Sequence, residues 1–277
     1  MDHPELRIPI RGDKFSLNVS VKALLHHRDT EFQTIDIYDT DTFGKALLLD
    51  GHIQFTSLDE HAYHESLVQI PLLNLPNAKR ALVIGGGDGG VIRELCKHPS
   101  IERVDMVEID PGVIEACKLA LPELNAGAFE DSRVKVHVED AFAFVKRAFE
   151  PYDLIVADST DVYEDEEGGL SEALFTDEFY RDCLRLMTED GLLVTQADNL
   201  VFCPYSLEGI LSLFGRIFPK TGAYQGLVPS FGGFSGFAWA SKGASLSPTL
   251  PALASDIPLR YLNETLYSFA FSSLSFN

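Results

Sequence analysis

The motif Asp158-Ser-Thr-Asp161 supplies two carboxylates in a position suited to chemistry on an amine. It follows directly after the apolar run 154–157, which is typical of a buried strand. An alkylamine has a pKa of about 10 by analogy with lysine, so at neutral pH it is a cation that cannot attack carbon. A carboxylate beside the nitrogen can hold that cation and then accept its proton. We therefore predict Asp158 as a catalytic base and Asp161 as a second anchor for the ammonium group.

A glycine-rich turn, Gly85-Gly-Gly-Asp-Gly-Gly90, follows another apolar run at 81–84. Glycines let the backbone turn sharply and approach a ligand closely, and the helix that follows points its N–H groups into the same space. Asp88 inside this turn would repel a phosphate, so the turn favours a nucleoside with a cationic tail. S-adenosylmethionine and its decarboxylated form both have such a tail. We predict Gly85, Gly87 and Asp88 as nucleoside-binding residues.

Two further carboxylates are predicted to follow neighbouring strands. Glu108 ends the strand after the glycine turn, about 20 residues further on, where an acid can accept hydrogen bonds from both ribose hydroxyls. Asp140 follows the third strand. It is placed either to reach the adenine amino group or to cap the helix expected at 140–149, and it can do both.

Composition excludes several classes of partner. The chain has 277 residues, with 22 basic and 42 acidic side chains, and a formal net charge of −20. This acidity argues against nucleic acid and is compatible with a polycationic ligand, although it is also explained by solubility alone. No apolar run reaches the roughly 18 residues of a membrane helix, and the first residues do not resemble a signal peptide, so we expect a cytoplasmic protein. Four scattered cysteines without a CxxC pair predict neither structural zinc nor a disulfide framework.

The elements that position these residues fall into two groups. Residues 1–58 contain period-two alternation, as in Phe15, Leu17 and Val19, and the tight-turn signal Asp50-Gly51, both typical of antiparallel strands. Residues 59–73 predict a helix, and short apolar strands then alternate with helices. The predicted strands are 81–84, 104–107, 134–136, 154–156 and 192–194, and the predicted helices lie near 89–98, 111–120, 140–149 and 171–188. This alternation indicates an α/β fold with a parallel, doubly wound sheet.

The predicted domains are therefore a small N-terminal antiparallel β module at 1–58 and a Rossmann-like catalytic domain at 59–277. The tail is less regular. Residues 245–256 predict a loop or short helix, and 259–262 and 268–271 predict either closing strands or docking segments.

Several motifs in order resemble one protein family over about residues 12–242. They are Leu49-Asp-Gly-His-Ile-Gln54, Asp59-Glu-His-Ala-Tyr63-His-Glu65, Ile84-Gly-Gly-Gly-Asp-Gly-Gly90 and Asp158-Ser-Thr-Asp161. They resemble the polyamine aminopropyltransferases, spermidine synthase above all. The resemblance implies transfer of an aminopropyl group from decarboxylated S-adenosylmethionine to putrescine, giving spermidine and methylthioadenosine. It also implies a methyltransferase-type Rossmann domain, a homodimer or homotetramer, and no metal or other cofactor.

The resemblance also implies the site residues. The nucleoside residues of the family match Gln33, Gln54, Asp88, Glu108, Asp140 and Ala141. The amine-site residues match Tyr63, His64, Asp158, Asp161, Gln196 and Tyr224. For Tyr224, packing of an aromatic ring in the core is the alternative interpretation.

Two segments depart from the family pattern, so the acceptor amine stays open. The second aspartate is followed by the long acidic segment 162–169 instead of Pro-x-Gly-Pro-Ala, and Ile-Pro-Thr-Tyr is replaced by Val228-Pro-Ser-Phe231. Both details look more like thermospermine synthases, so an amine longer than putrescine is an alternative acceptor; the other interpretation is that the acidic segment is a solvated lid without ligand contact. Agmatine and cadaverine are further candidates. An S-adenosylmethionine-dependent methyltransferase and a non-catalytic polyamine or nucleoside sensor are the remaining alternatives.

Overall fold

The computed structural model describes residues 4–11, 14–159 and 176–274. Asp161 and the acidic segment 162–169 lie outside the described residues, so the predictions for them stay predictions. Within the described residues, no helix is both long and apolar enough to cross a bilayer.

The first part of the chain forms a five-stranded antiparallel sheet in sequence order. Its strands are β1 (Glu5–Arg11), β2 (Phe15–Asp29), β3 (Thr34–Thr40), β4 (Gly44–Leu49) and β5 (His52–Thr56). Alternation sets its faces: Ile35 and Ile37 on β3 are fully buried. The turn between β4 and β5 has positive φ at both Asp50 and Gly51, as a two-residue hairpin of this kind requires.

An irregular helix connects the two sheets. It begins as α1 (Glu60–His64), continues through one π-helical turn (Glu65–Gln69) and ends as α2 (Ile70–Leu73). The sequence predicts this helix without its π turn. Such turns occur frequently at functional sites because they change the direction in which side chains leave the helix.

The second sheet has seven strands in the order β11-β12-β10-β9-β6-β7-β8. Its strands are β6 (Arg80–Gly85), β7 (Arg103–Glu108), β8 (Val134–Val138), β9 (Tyr152–Asp158), β10 (Met187–Asn199), β11 (Lys220–Val228) and β12 (Gly233–Ser241). The five strands from β10 to β8 are parallel, as the sequence predicts, and β12 and β11 add an antiparallel hairpin that it does not predict. The α/β, Rossmann-like class is thus confirmed.

Helices cover both faces of this sheet. The helix α3 (Gly90–Cys96) packs on one face, and α6 (Ala141–Arg147), α7 (Asp177–Leu186) and α8 (Pro204–Ile217) pack on the other. The buried side of α4 (Pro111–Ala120) and α5 (Pro122–Asn125) packs against the N-terminal sheet. Successive side chains of the central strands point to opposite faces of the sheet. Leu82 and Val83 on β6 therefore belong to separate hydrophobic clusters. The helix α8 is a further element that the sequence analysis does not predict.

The order of the strands reverses next to β6. The chain continues from β6 to β7 and β8 on one side and returns to β9 on the other. Ligands of open α/β sheets bind outside the carboxyl ends of the strands at such a point. Gly85 and Asp158 are paired neighbours at these two strand ends, so the glycine turn and the catalytic motif meet there.

The tail is a docking segment. It contains a 3₁₀ turn (Ala252–Asp256) and α9 (Glu264–Ala270), so the alternative that 268–271 forms a strand is wrong. Asn263 caps α9 by accepting hydrogen bonds from the backbone of Thr265 and Leu266, which favours a helix there. The tail then covers β11, whose Gln225 amide donates to two carbonyl groups of the tail.

Candidate active site

The glycine turn wraps closely around the end of β9. Gly86 N–H donates to the carbonyl oxygen of Asp158 at 3.0 Å. Gly85 has φ +77°, and a Cβ there would lie 2.2 Å from that same oxygen, so only glycine fits. The turn therefore brings the backbone of the predicted cradle directly against the predicted base.

Asp88 is held inside this turn. It is 8% exposed, its Oδ1 accepts from Gly90 N–H at 2.7 Å, and its Oδ2 lies 3.3 Å from His64 Nε2. The longer contact with His64 is an ion pair rather than an aligned hydrogen bond. Asp88 is thus a fixed carboxylate at the ligand crevice.

Asp158 carries the hydrogen bond that joins the site to α1. The hydroxyl of Tyr63 donates to Asp158 Oδ1 at 2.6 Å. Burial and then the charge of Asp88 raise the pKa of Asp158 to about 6, while His64 and the Tyr63 hydroxyl act in the opposite direction. A carboxylate with such a pKa can accept a proton close to neutral pH.

His64 lies between two carboxylates and is only 1% exposed. Its Nδ1 is 2.8 Å from Glu60 Oε2, and its Nε2 faces Asp88. Burial opposes a charge on the ring, but Asp88 and Glu60 outweigh it and raise the pKa of His64 to about 10. The ring is therefore an imidazolium at neutral pH.

Glu108 stands at the end of β7 beside the glycine turn. A side chain at Gly87 would meet its Oε2 at 2.9 Å, so the carboxylate lies against the turn. Its Oε1 accepts from Asp110 N–H at 2.9 Å. Burial raises the pKa of Glu108 to about 7 in spite of this hydrogen bond, and the charges of Asp110 and Asp158 act in the same direction as burial.

Four predicted nucleoside residues lie outside the glycine turn. Gln33 donates through Nε2 to Asp110 Oδ2 at 3.0 Å, so it reaches the residue two positions after Glu108. Gln54 on β5 donates to His52 O at 3.3 Å. Asp140 caps α6 by accepting from Phe142 N–H at 2.8 Å, and Ala141 is the first residue of that helix.

Two predicted amine residues come from the strands β10 and β11. Gln196 donates to Ser159 O at 3.3 Å, next to Asp158. Tyr224 is buried, donates its hydroxyl to Ser66 O at 2.9 Å and stacks on Phe237 with ring centroids 5.3 Å apart. The core packing considered for Tyr224 is thus present, and a contact with the amine stays a prediction.

The segment Val228–Phe231 packs against Tyr63. Ser230 donates through its backbone N–H and its hydroxyl to the Asp59 carboxylate, at 2.7 and 2.8 Å. This connection places the Phe231 ring edge-on to Tyr63, with centroids 5.4 Å apart. One of the two segments that depart from the family pattern therefore lines the site.

Sequence reasoning missed Glu60 and Arg93. Arg93 on α3 donates to both carboxylate oxygens of Glu60, at 3.0 and 2.8 Å. The i,i+4 spacing of Glu60 and His64 on one helix is a signal that could have identified Glu60. Nothing comparable marks Arg93, which comes from a different element.

Comparison with known proteins identifies the family. Residues 60–248 match the spermine/spermidine synthase domain, and residues 8–57 match the spermidine synthase tetramerisation domain. This chain belongs to the polyamine aminopropyltransferases. It is therefore an enzyme of the alkyl-transferring class.

Two polyamine aminopropyltransferases match 84% and 98% of this chain. The polyamine aminopropyltransferase of Sodalis glossinidius is 37% identical over 98% of this chain and 96% of its own length. That of Pectobacterium carotovorum is 39% identical over 84% of this chain and 79% of its own length.

Solved structures of the aminopropyltransferase family confirm the fold, including its methyltransferase-type Rossmann sheet. A spermidine synthase in complex with the transition-state analogue AdoDATO has a TM-score of 0.91 and 29% identity, covering 99% of this chain and 93% of its own. The spermidine synthase from Thermotoga maritima has a TM-score of 0.90 and 28% identity, covering 99% and 92%.

Proposed function

We propose that this protein transfers the aminopropyl group of decarboxylated S-adenosylmethionine to putrescine, giving spermidine and methylthioadenosine. The observation that carries this proposal is the half-buried Asp158, hydrogen-bonded to Tyr63 and lying beside Asp88 where the strand order reverses. Two carboxylates at one ligand crevice suit two cationic partners, the nucleoside tail and the amine.

The nucleoside is proposed to lie along the ends of β6 and β7. Glu108 would accept hydrogen bonds from the ribose hydroxyls, the backbone at Gly85 and Gly87 would pass close to the ligand, and Asp88 would receive the cationic tail. The remaining nucleoside residues in this proposal are Gln33, Gln54, Asp140 and Ala141.

Asp158 is proposed to act on the amine. It takes one proton from the ammonium group as the nitrogen lone pair turns toward the carbon bonded to sulfur. The N–C bond forms while the C–S bond breaks, and the electron pair of that bond returns to sulfur, which leaves as a neutral thioether. A sulfonium is already a good leaving group, so the remaining contribution is alignment of nitrogen, carbon and sulfur. Within the described residues, we propose that the amine is oriented by Tyr63, Gln196 and Tyr224. Asp161, which lies outside the described residues, is proposed as its second anchor.

An assay with two nucleosides tests the transferred group. The enzyme is incubated with putrescine and either decarboxylated S-adenosylmethionine or S-adenosylmethionine, and the amines are separated by mass. Spermidine from the decarboxylated nucleoside is the expected product. A methylated amine from S-adenosylmethionine, without spermidine from its decarboxylated form, would replace the proposal with a methyltransferase.

A second assay tests the acceptor. Putrescine, cadaverine, agmatine and spermidine are compared under the same conditions, and putrescine is expected to give the highest kcat/KM. The family pattern has Tyr where this chain has Phe231, and the Phe231 ring lies against Tyr63. Preference for spermidine would therefore change the proposed acceptor and leave the proposed group transfer intact.

We also propose that the protein is a homodimer or homotetramer that assembles through its N-terminal sheet. Residues 8–57 match a tetramerisation domain, and β2 exposes Leu24 and Leu25, at 53% and 44%. Light scattering of the wild type and of Leu24→Asp tests this proposal. A wild-type monomer would contradict it, and a smaller assembly in the variant would assign the surface.

A further inference from the structure

Glu60 is a buried carboxylate held between two cations. It is 7% exposed; the Arg93 guanidinium donates to both of its oxygens, and His64 Nδ1 lies 2.8 Å from its Oε2. A buried charge that loses its partner costs several kcal/mol, so these three side chains hold one another in place. The pKa of Glu60 is lowered to about 2: burial acts against this shift, and His64 and Arg93 outweigh burial.

The His64 ring connects Glu60 to the glycine turn. A Cβ at Gly90 would lie 2.3 Å from two atoms of the ring, so the ring rests directly on the turn. Its second nitrogen faces Asp88, whose other oxygen accepts from Gly90 N–H. Asp88 is therefore fixed from both sides, and one of the two contacts depends on the orientation of His64.

We propose that Glu60 is a positioning residue for the sulfonium nucleoside: it orients His64, and His64 holds Asp88 where the cationic tail of the nucleoside binds. This inference rests on the proposed function. It also gives His64 a role different from an amine contact. Both of its ring nitrogens already face carboxylates, Glu60 and Asp88, so the ring acts on Asp88 rather than directly on the acceptor amine.

Other charged groups adjoin this chain of contacts without repeating it. Arg93 also pairs with Glu94 Oε1 at 2.9 Å, and Glu94 pairs with Lys97 at 2.8 Å. Asp158 faces Asp88 and His64 from β9. Glu94, like Glu60, is buried and pairs with Arg93. Its second ion pair is to Lys97, whereas that of Glu60 is to His64. Glu94→Gln is therefore a matched control, because it disturbs Arg93 and leaves the bond to His64 in place.

Two nucleosides separate positioning from general damage. Decarboxylated S-adenosylmethionine carries the cationic tail, and methylthioadenosine lacks it. Calorimetry with Glu60→Gln is expected to show binding of the sulfonium nucleoside weakened about tenfold and binding of methylthioadenosine changed less than about twofold. Glu94→Gln is expected to leave the ratio of the two affinities at its wild-type value. An equal loss for both ligands in Glu60→Gln would overturn the proposal.

A double-variant cycle tests whether Glu60 acts through His64. His64→Gln is expected to lose affinity for the sulfonium nucleoside selectively, and adding Glu60→Gln to it should cause no further loss. Losses that multiply would overturn the proposal. If Glu60→Gln does not fold, His64→Gln alone still decides, because full affinity for the sulfonium nucleoside in that variant contradicts a role for His64.

A spectroscopic readout needs no ligand. In the wild type, the NMR signal of the His64 ring should titrate far above the range of an ordinary histidine, and in Glu60→Gln it should titrate at lower pH. An unchanged titration in the variant would overturn the proposal. A different result would contradict the proposed function alone: a wild type that binds neither nucleoside, although its His64 signal titrates as expected.

Discussion

Tyr63 and Asp158 are joined by a 2.6 Å hydrogen bond between the end of strand β9 and the helix that connects the two sheets. The phenol donates, so it stabilises the ionised form of the carboxylate. Burial and the charge of Asp88 stabilise the protonated form. The balance leaves Asp158 able to change its protonation state close to neutral pH, which is the property that a general base requires.

The enzyme should therefore lose activity in acid. Below pH 6, kcat/KM for the amine should fall about tenfold per pH unit, because Asp158 becomes protonated and can no longer accept a proton. A bound sulfonium can only lower this pKa further, so an acid limb above pH 7 would contradict the assignment. The pH profile of kcat/KM with the nucleoside saturating is the measurement.

Removing the base should slow the reaction without abolishing nucleoside binding. Asp158→Asn is expected to lower kcat by about 10²- to 10⁴-fold, and to leave the affinity for methylthioadenosine close to that of the wild type. Steady-state kinetics and calorimetry on the same preparation check both statements. Unchanged turnover would remove Asp158 from its role.

Nucleoside binding should depend on Glu108. Its pKa is raised to about 7, so below that pH the unliganded enzyme holds Glu108 protonated and less able to accept hydrogen bonds from ribose. The dissociation constant of methylthioadenosine should then rise as the pH falls from 8 to 5. Methylthioadenosine lacks the cationic tail, so the experiment isolates the ribose end. Glu108→Gln serves as the control, and a pH dependence that survives in it would assign the effect elsewhere.

The stability of the fold should decrease at alkaline pH because of His64. Its folded-state pKa of about 10 lies above the value of about 6.5 for an unfolded histidine. Its ion pairs with Glu60 and Asp88 therefore stabilise the fold fully below pH 6.5 and lose this effect as the pH rises toward 10. Urea unfolding between pH 6.5 and 10 should show a falling free energy of unfolding. The slope should be smaller in His64→Gln, and equal slopes would contradict the prediction.

The parallel sheet could be predicted because its central strands are buried on both faces. Runs such as 81–84 and 154–156 are continuously apolar, and turns or helices follow them at once. The hairpin of β11 and β12 could not, because Gly222, Gly226 and Gly236 interrupt its alternation and close neighbours occupy the space of their missing side chains. The π turn also leaves no signal, because the apolar positions of a helix do not show whether each hydrogen bond spans four residues or five.

The part of the site that lies at the ends of the parallel strands could be predicted from the sequence. Asp158, Glu108 and the glycine turn come together because the carboxyl ends of parallel strands share one edge of the sheet. The partners of Glu60 could not be predicted in full, since Arg93 joins Glu60 only when α1 and α3 pack together. Nor does the sequence reveal that the hydroxyl of Tyr224 bonds to the π turn at Ser66.

The fate of isotopic label tests the central claim most directly. Decarboxylated S-adenosylmethionine with ¹³C in the three carbons of its aminopropyl group is incubated with unlabelled putrescine, and both products are analysed by mass spectrometry. The account predicts spermidine that contains all three labelled carbons and methylthioadenosine that contains none. Label retained on the nucleoside product, together with a methylated amine, would contradict it.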